Sequence, residues 1–386
     1  MSIPTPVEQL RYFRKQQPQI VETIKQLVEI ESPSDVKQAV DRLGAVLASR
    51  FGELGGRVRL HRAEKFGNHL QVDFKPRSSR QQKPVLLLGH MDTVYPIGTI
   101  SRMKCRVAKG RVWGPGVLDM KSGIALAFHV LEAMLKWGDG KLSRPVTLFL
   151  VSDEEVGSKS SRGITEELAR KASAVLVLEP AFGLEGAVKT ARKGVGEYRL
   201  TVHGKAAHSG LDFETGQSAI IELANQIQGI SKVVDLEHGI TLNVGRVTGG
   251  TRVNVVPAQA QAFLDVRVAA ASDAAEIDRK LKGLRPSNPQ CRLEVSGEIG
   301  RPPMERTAGV AALYAKGKDI AAVLGLELKE AAVGGGSDGN FTAALGVPTL
   351  DGLGAVGEGA HAEHESVVIS ELPARAALLA GLIEAV

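Results

Sequence analysis

The stretch PVLLLGHMDTV (84–94) begins as a continuous apolar run and ends in histidine and aspartate. Two later runs, PVTLFLV (145–151) and AVLVL (174–178), show the same unbroken hydrophobicity, which is typical of strands buried on both faces. Between the first two runs lies SGIALAFHVLEAMLKW (122–137), whose length and apolar spacing predict a helix. This alternation predicts an α/β fold built on a mixed, mostly parallel sheet flanked by helices.

From about residue 195 the pattern changes to alternation of polar and apolar residues, which is typical of strands exposed on one face. The alternating segments are YRLTVHG (198–204), ITLNVGRV (240–247) and QAFLDVRV (261–268), and the helix candidates among them are SAIIELANQIQGI (218–230) and SDAAEIDRKLKGL (272–284). We therefore predict an inserted α+β domain over residues 187–298 and an α/β domain formed by residues 1–186 and 299–386. Three C-terminal segments are expected to complete the first sheet: 310–324, 346–354 and 372–386.

Length and composition indicate a soluble globular protein of two domains. The 386 residues exceed the size of one ordinary core, and the hydrophobic fraction of 43% and charged fraction of 24% are average. The first residues lack a signal-peptide pattern, and no stretch has the roughly 18 consecutive apolar residues of a membrane span, so we expect a cytoplasmic protein with no membrane partner. The net charge is +5, and some of the positive charges lie in the basic run KPRSSRQQK (75–83). Neither interleaved aromatic residues nor a nucleic-acid motif accompanies that run, so we expect no nucleic-acid partner.

Histidine and carboxylate residues follow the predicted buried strands. The residues concerned are His90 and Asp92 after the first strand, Asp153, Glu154 and Glu155 after the second, and Glu179 after the third. The carboxyl ends of parallel strands form the ligand crevice of open α/β sheets, and so many carboxylates would repel one another unless cations neutralise them. Since the two cysteines lie far apart in the sequence, nitrogen and oxygen ligands are predicted, which suit Zn²⁺, with Co²⁺ or Mn²⁺ possible. Asp92 is expected to accept the proton of the His90 ring nitrogen that does not bind metal.

The chain resembles the M20 family of metallopeptidases. The motifs that carry the resemblance span most of the chain in the expected order: GHMDTV (89–94), GPGVLDMKSG (114–123), SDEEVGS (152–158), LEP (178–180) and GAHAEHE (359–365). The resemblance implies a zinc exopeptidase-like catalytic domain, an inserted dimerisation or lid domain, and two Zn²⁺ per chain. It implies that His90 and Glu179 hold one ion, that Glu155 and His361 hold the other, and that Asp119 bridges them. His361 is preferred to the neighbouring His364 because of its spacing to Glu365.

The resemblance also implies catalytic roles for residues that bind no metal. Glu154 is expected to be the general base that takes a proton from the attacking water and passes it to the leaving amine. His208 would reach the active site of the other subunit of a homodimer and stabilise the oxyanion. Asn254 would polarise the substrate. Without the resemblance, His208 is a surface or packing residue and Asn254 a turn former. A cis peptide bond is expected between Asp119 and Met120.

The substrate class is suggested by GRPP (300–303), GGGSDGNF (334–341) and LGAVGEGAH (353–361), which resemble bacterial glutamate carboxypeptidases. That subfamily releases C-terminal glutamate. The resemblance implies that Arg301 binds the free carboxylate of a peptide or N-acyl amino acid, with the pocket lined by Gly335, Gly336 and Ser337. A plain surface charge is the alternative for Arg301. Lys193 stands where glutamate carboxypeptidases have a smaller residue, so the identity of the released amino acid stays open.

Other functions remain to be distinguished from a carboxypeptidase. Within the same chemistry these are a dipeptidase or a deacylase of the acetylornithine or succinyl-diaminopimelate type, and in another class a non-catalytic peptide- or metabolite-binding descendant. The glycines of GLGAVG (352–357) match a dinucleotide-binding pattern, but the residues after them do not predict the helix that this fingerprint requires. A nucleotide-binding oxidoreductase is therefore disfavoured.

Overall fold

The chain divides into two compact units. The computed structural model describes residues 3–76 and 82–386, so residues 77–81 of the basic run lie outside the described residues. The first unit is formed by Met1–Ala191, Arg306–Ala332 and Ser337–Val386, and the second by Arg192–Glu305 and Val333–Gly336. The second unit thus begins and ends later than the 187–298 expected from the sequence. One reason is that Lys189 exchanges backbone hydrogen bonds of 2.8 and 3.2 Å with Asp351, which ties this strand to the first unit.

The elements of the first unit include those that the apolar runs predict. The strands of the chain are β1 (Arg57–His61), β2 (His69–Phe74), β3 (Val85–His90), β4 (Arg106–Ala108), β5 (Arg111–Trp113), β6 (Val146–Val151), β7 (Ala174–Val177), β8 (Val188–Arg192), β9 (Gly194–His203), β10 (Thr241–Gly249), β11 (Gln259–Val268), β12 (Arg292–Arg301), β13 (Glu330–Val333), β14 (Thr349–Leu350), β15 (Gly357–Glu358) and β16 (Ser366–Val368). The helices are α1 (Pro6–Val28), α2 (Lys37–Glu53), α3 (Thr99–Arg102), α4 (Ser122–Trp137), α5 (Arg162–Lys171), α6 (Ala219–Ile230), α7 (Ala271–Lys282), α8 (Ala308–Val323), α9 (Gly339–Ala344) and α10 (Leu372–Ala385).

A six-stranded sheet with the order β1-β2-β6-β3-β7-β14 forms the centre of the first unit. β3 runs parallel to both β6 and β7, and β14 runs parallel to β7, whereas β1 and β2 add antiparallel strands at one edge. This confirms the predicted mixed, mostly parallel sheet. Every residue of β3, β6 and β7 is buried, because helices cover both faces of the sheet.

Successive side chains of β3 pack into two different cores. Leu87 belongs to a large cluster that includes Phe13 of α1 and Leu379 of α10, whereas Leu86 and Leu88 pack on the opposite face with residues of α5 and β6. This division follows from the alternation of side chains along a strand. Burial of each such leucine stabilises the fold by about 1.5–3 kcal/mol, so the carboxyl ends of β3, β6 and β7 are held in a fixed relative position.

The second unit is an antiparallel sheet with the order β10-β11-β9-β12. Its strands and the helices α6 and α7 lie where the alternating segments and the helix candidates predict them. Alternate residues such as Leu200 of β9 and Leu264 of β11 are buried against Leu223 of α6 and Ile277 of α7. Helix α6 begins at Ala219 and is capped by Ser218, whose side chain accepts a hydrogen bond from the Ile221 amide, a common N-terminal cap.

The C-terminal segments return to the first unit, as expected. β14 extends the central sheet, α8 packs against β14, and α10 packs against α8. Residues 352–357 are followed by β15 rather than by a helix, and among the described residues the next helical turn begins at Ile369. The glycines therefore lack the context of a dinucleotide site. In the ranges 3–76 and 82–386, none of the helices combines the length and apolar character needed to cross a membrane.

Candidate active site

The predicted metal-binding side chains meet at the carboxyl edge of the central sheet. His90 is the last residue of β3, Glu154 and Glu155 follow β6, and Glu179 follows β7. Because β6, β3 and β7 are neighbours in the sheet, these side chains lie on adjacent strand ends.

Two further predicted residues reach the same edge from other segments. Asp119 lies in a short turn, Val117–Lys121, that precedes α4, and His361 lies in the loop between β15 and β16. The Asp119–Met120 peptide bond is cis, as the resemblance implied, and His361 has a left-handed backbone with φ 63°.

The two oxygens of Asp119 face different histidines. Oδ1 lies 3.0 Å from Nε2 of His90, and Oδ2 lies 3.5 Å from Nε2 of His361. Each histidine also faces a second carboxylate: Nε2 of His90 is 3.5 Å from Oε1 of Glu179, and Nε2 of His361 is 3.2 Å from Oε1 of Glu155. The result is two pairs of predicted ligands on either side of one shared carboxylate.

These separations fit metal ions. Two nitrogen or oxygen atoms bound at about 2.1 Å to a tetrahedral zinc ion lie roughly 3.4 Å apart, and the four distances above span 3.0 to 3.5 Å. Ligand atoms of His90, Asp119 and Glu155 lie within 4.8 Å of one another, as do those of His90, Glu154 and Glu179. Imidazole nitrogen with carboxylate oxygen is a donor set that suits Zn²⁺ rather than Mg²⁺ or Ca²⁺.

The electrostatics of the cluster favour positive charge at the histidines. Hydrogen bonds to Asp119 and Glu155 raise the pKa of His361 to about 10. Burial acts against the protonated form of His90, but hydrogen bonds to Asp119, Asp92 and Glu179 hold the pKa of this ring well above its usual value. Burial raises the pKa of Glu155. A cluster of this kind stabilises cations, whether protons or metal ions.

Asp92 lies beside the His90 ring and also contacts the segment that follows β6. Nδ1 of His90 lies 2.9 Å from the backbone carbonyl oxygen of Asp92, and 3.6 Å from its side-chain Oδ1. The Asp92 carboxylate also accepts hydrogen bonds from the Ser34 hydroxyl at 2.7 Å and from the amides of Glu154 and Glu155 at 3.3 and 3.2 Å. The main-chain carbonyl of Asp92 is the nearer acceptor for the ring, and the side chain also supports the Glu154–Glu155 segment.

Two residues of the site were missed by the sequence analysis. Ser34 has no motif that points to Asp92. Glu365 belongs to the C-terminal motif, where it served only to select His361, yet its buried carboxylate accepts three backbone hydrogen bonds from the turn that carries Asp119. An acidic residue at a fixed spacing from a predicted metal ligand is the signal that could have identified it.

Most of the residues predicted to bind substrate lie in the second unit. His208 and Asn254 are exposed and lie on paired backbone segments, where the Ser209 amide donates to the Asn254 carbonyl at 3.1 Å. The imidazole Nδ1 of His208 accepts from the amides of Gly210 and Leu211 at 3.1 and 3.2 Å.

Arg301 and the glycines 335 and 336 also belong to the second unit. Arg301 ends β12 and is 9% exposed. The carbonyls of Gly335 and Gly336 accept hydrogen bonds from Arg192 at 3.0 and 3.3 Å, so a second arginine fixes this glycine-rich loop.

Ser337 lies in the first unit and is fully buried. Its hydroxyl donates to Oδ2 of Asp351 at 2.6 Å and accepts from the Gly339 amide at 3.1 Å. The hydroxyl that the sequence predicts to line the substrate pocket therefore already donates its proton to a residue of the protein.

Histidine and carboxylate side chains that could hold metal ions, gathered at the carboxyl edge of an α/β sheet with an adjacent glutamate, form the arrangement of a metal-dependent hydrolase. The sequence model that describes peptidase family M20/M25/M40 matches residues 86–385. The chain belongs to this family and is a metallopeptidase, which confirms the resemblance. It is 29% identical over 377 residues to carboxypeptidase G2 of Pseudomonas sp. (strain RS-16), covering 95% of this chain and 89% of the relative.

Solved structures share the fold. Aminopeptidase PepT from Bacillus cereus ATCC 10987 has a TM-score of 0.79 at 23% identity and covers 95% of this chain and 98% of its own. The YXEP protein of Bacillus subtilis, a dinuclear metal binding peptidase from the M20 family, has a TM-score of 0.70 at 15% identity, covering 96% of this chain and 98% of its own. These likenesses confirm the predicted fold.

Proposed function

We propose that the protein is a dinuclear zinc carboxypeptidase that hydrolyses an amide bond next to a free carboxylate and releases C-terminal glutamate or a similar amino acid. The observation that carries the proposal is the position of Asp119, whose two oxygens face His90 and His361. The similarity to carboxypeptidase G2 over nearly the whole of both chains supports the choice of a carboxypeptidase.

In this proposal, His90 and Glu179 would hold one ion, Glu155 and His361 would hold the other, and Asp119 would be a ligand of both. When bound, the two cations polarise the scissile carbonyl and make a water molecule more acidic. Zinc is proposed because the donor set is imidazole and carboxylate, with Co²⁺ and Mn²⁺ as the other metals that such a set accepts.

Glu154 is proposed as the general base. Its amide is held by the Asp92 carboxylate at 3.3 Å, and one of its oxygens lies within 4.8 Å of ligand atoms of both His90 and Glu179. From this position its carboxylate accepts a proton from the attacking water and then donates it to the leaving amine nitrogen.

Recognition of the substrate carboxylate is assigned to Arg301, and Gly335, Gly336 and Ser337 are proposed as further substrate-binding residues. A guanidinium group binds a carboxylate through two parallel hydrogen bonds, and the bond from Arg192 to the glycine carbonyls supports a loop of defined shape. Asn254 and His208 are proposed to polarise the substrate and to stabilise the oxyanion, the latter from the other subunit of a homodimer.

Two measurements test this function. Metal analysis of the purified protein is expected to find about two zinc ions per chain, as in dinuclear hydrolases, and active protein without metal would refute it. A panel of C-terminal dipeptides, N-acetyl amino acids and folate-type conjugates is expected to release glutamate or a similar amino acid from the third group, with or without turnover of the first. Turnover of N-acyl amino acids alone would assign a deacylase instead, and turnover of unblocked dipeptides alone a dipeptidase.

The homodimer has its own test. The mass of the native protein in solution, measured by light scattering, is expected to be twice the chain mass of 41.0 kDa. A monomer with full activity would remove His208 from the proposed catalytic residues.

A further inference from the structure

Glu365 is a fully buried carboxylate at the base of the candidate metal centre. Its Oε1 accepts hydrogen bonds from the amides of Leu118 at 2.7 Å and Asp119 at 2.9 Å, and its Oε2 accepts from the amide of Gly116 at 2.8 Å. Burial of a carboxylate is unfavourable unless hydrogen bonds replace its hydration. Three backbone donors from one turn provide this replacement.

The main chain around Glu365 is also fixed to the segment before Asp119. The amide of Gly114 donates to the Glu365 carbonyl at 3.3 Å, and Ser366 in β16 pairs with Trp113 in β5. The position of the carboxylate is therefore set by strand pairing as well as by its own hydrogen bonds.

The loop that contains Glu365 also carries His361. Within it, the amide of Glu365 donates to the Ala362 carbonyl at 3.1 Å, and the Tyr95 hydroxyl donates to the same carbonyl at 3.1 Å. The turn of Asp119 and the loop of His361 are far apart in the sequence, and the Glu365 side chain joins them directly.

We infer that Glu365 is a positioning residue that holds the Asp119 carboxylate between His90 and His361 by binding the peptide amides of the Asp119 turn. This inference rests on the proposed function, since it takes Asp119 and His361 as metal ligands. A displacement of this turn moves the shared carboxylate, and so it weakens the binding of both ions. Groups that orient metal ligands typically contribute about 10–100-fold to metal affinity.

The variant Glu365→Gln tests the inference, because its amide nitrogen must face an N–H group of the turn whichever way the side chain is oriented. Glu363→Gln is the matched control: it lies in the same loop, its side chain is 80% exposed, and its carboxylate is 3.6 Å from Arg102. Affinity for Zn²⁺ is measured by chelator competition, the Co²⁺ absorption spectrum reports ligand geometry, and the unfolding of metal-free protein reports stability.

We expect Glu365→Gln to bind Zn²⁺ about 10–100-fold more weakly with an altered Co²⁺ spectrum, whereas Glu363→Gln matches the wild type. A purely structural role would lower the stability of the metal-free protein and leave the affinity and the spectrum of the folded protein unchanged. That result would overturn the inference, as would an equal loss of affinity in the control.

A double-mutant cycle with Asp119→Asn tests the route of action. If Glu365 acts through Asp119, the substitution Glu365→Gln causes little further loss of Zn²⁺ affinity in the Asp119→Asn background. Fully additive losses would contradict the inference.

A second variant covers the case in which Glu365→Gln does not fold. Glu365→Asp keeps the charge but withdraws the carboxylate from the three amides, so a loss of Zn²⁺ affinity is again expected, and wild-type affinity in the folded variant would overturn the inference. If the wild-type protein bound no metal, both the proposed function and this inference would fail. If the wild type bound Zn²⁺ and Glu365→Gln bound it with the same affinity, only this inference would fail.

Discussion

The substitution Asp92→Asn distinguishes two interpretations of this carboxylate. One is that it positions Glu154 and Glu155, whose amides donate to it. The other, expected from the sequence, is that it orients the His90 ring, whose Nδ1 is 3.6 Å away. An asparagine retains one acceptor oxygen, so one of the two amides, now at 3.3 and 3.2 Å from the carboxylate, loses its acceptor. A hydrogen bond to a charged group contributes about 1.5–3 kcal/mol. If this hydrogen bond holds the proposed base Glu154 in place only in the transition state, its loss lowers kcat roughly 10–100-fold.

The assay is steady-state kinetics at saturating Zn²⁺ with the best substrate of the panel, together with metal analysis. We expect a lower kcat, a KM near that of the wild type and a retained metal content. Ser34→Ala, which removes the 2.7 Å hydrogen bond to the same carboxylate, is expected to give a smaller decrease. Asp73→Asn is the control, because that carboxylate binds Gln71 and Thr147 on the sheet. An unchanged kcat in Asp92→Asn would refute this reasoning, and lost metal with normal turnover in the loaded fraction would favour the His90 interpretation.

Three further predictions concern the base, a histidine and the core. Glu154→Gln is expected to retain metal and to lose about 10²–10⁴-fold in kcat; full activity would place the base elsewhere. In metal-free protein the pKa of His361 is raised from 6.5 to about 10, chiefly by its hydrogen bond to Asp119. This histidine therefore stabilises the fold fully below pH 6.5 and progressively less as the pH rises to about 10. Urea unfolding of protein kept metal-free by a chelator is expected to show that the free energy of unfolding falls over this pH range. An equally steep fall in His361→Gln would contradict this prediction. Leu87→Ala, at a fully buried position of β3, is expected to lower the free energy of unfolding by about 2–5 kcal/mol. The same change at Leu60, which is 50% exposed on β1, is expected to cause a change within about 0.5 kcal/mol, and equal losses would contradict the assigned burial.

The central sheet was predictable because its strands carry their own signal. The continuous apolar runs that became β3, β6 and β7 contain a single polar residue, Thr147, and so have no polar face to turn to solvent. Burial on both sides was therefore the consistent solution. The alternating segments predicted the strands of the second unit just as directly. The boundary between the units was less predictable, because it depends on the hydrogen bonds between Lys189 and Asp351, which join residues distant in the sequence.

Part of the candidate site was predictable because the strands themselves were predictable. His90, Glu155 and Glu179 follow strands, and strand order alone brings such residues together. Asp119 and His361 lie in a turn and a loop, and only the family resemblance pointed to them.

The supporting contacts of the site were not predictable from a single sequence. The donors to Glu365, and two of the donors to the Asp92 carboxylate, are backbone amides, which every residue except proline carries. Which amide meets which side chain depends on the long-range packing of turns, and no residue pattern encodes it.

The shared carboxylate of Asp119 has a consequence for how the protein acquires its metal. The proposed ligands are spread along the chain from His90 to His361, and the last of them is synthesised only after the whole of the second unit. A nascent chain therefore holds an incomplete set of ligands, and the first ion to bind would find a bridging oxygen without its second histidine. Loading of both ions is expected to follow synthesis, so the activity in a cell would depend on the supply of free metal to the finished protein.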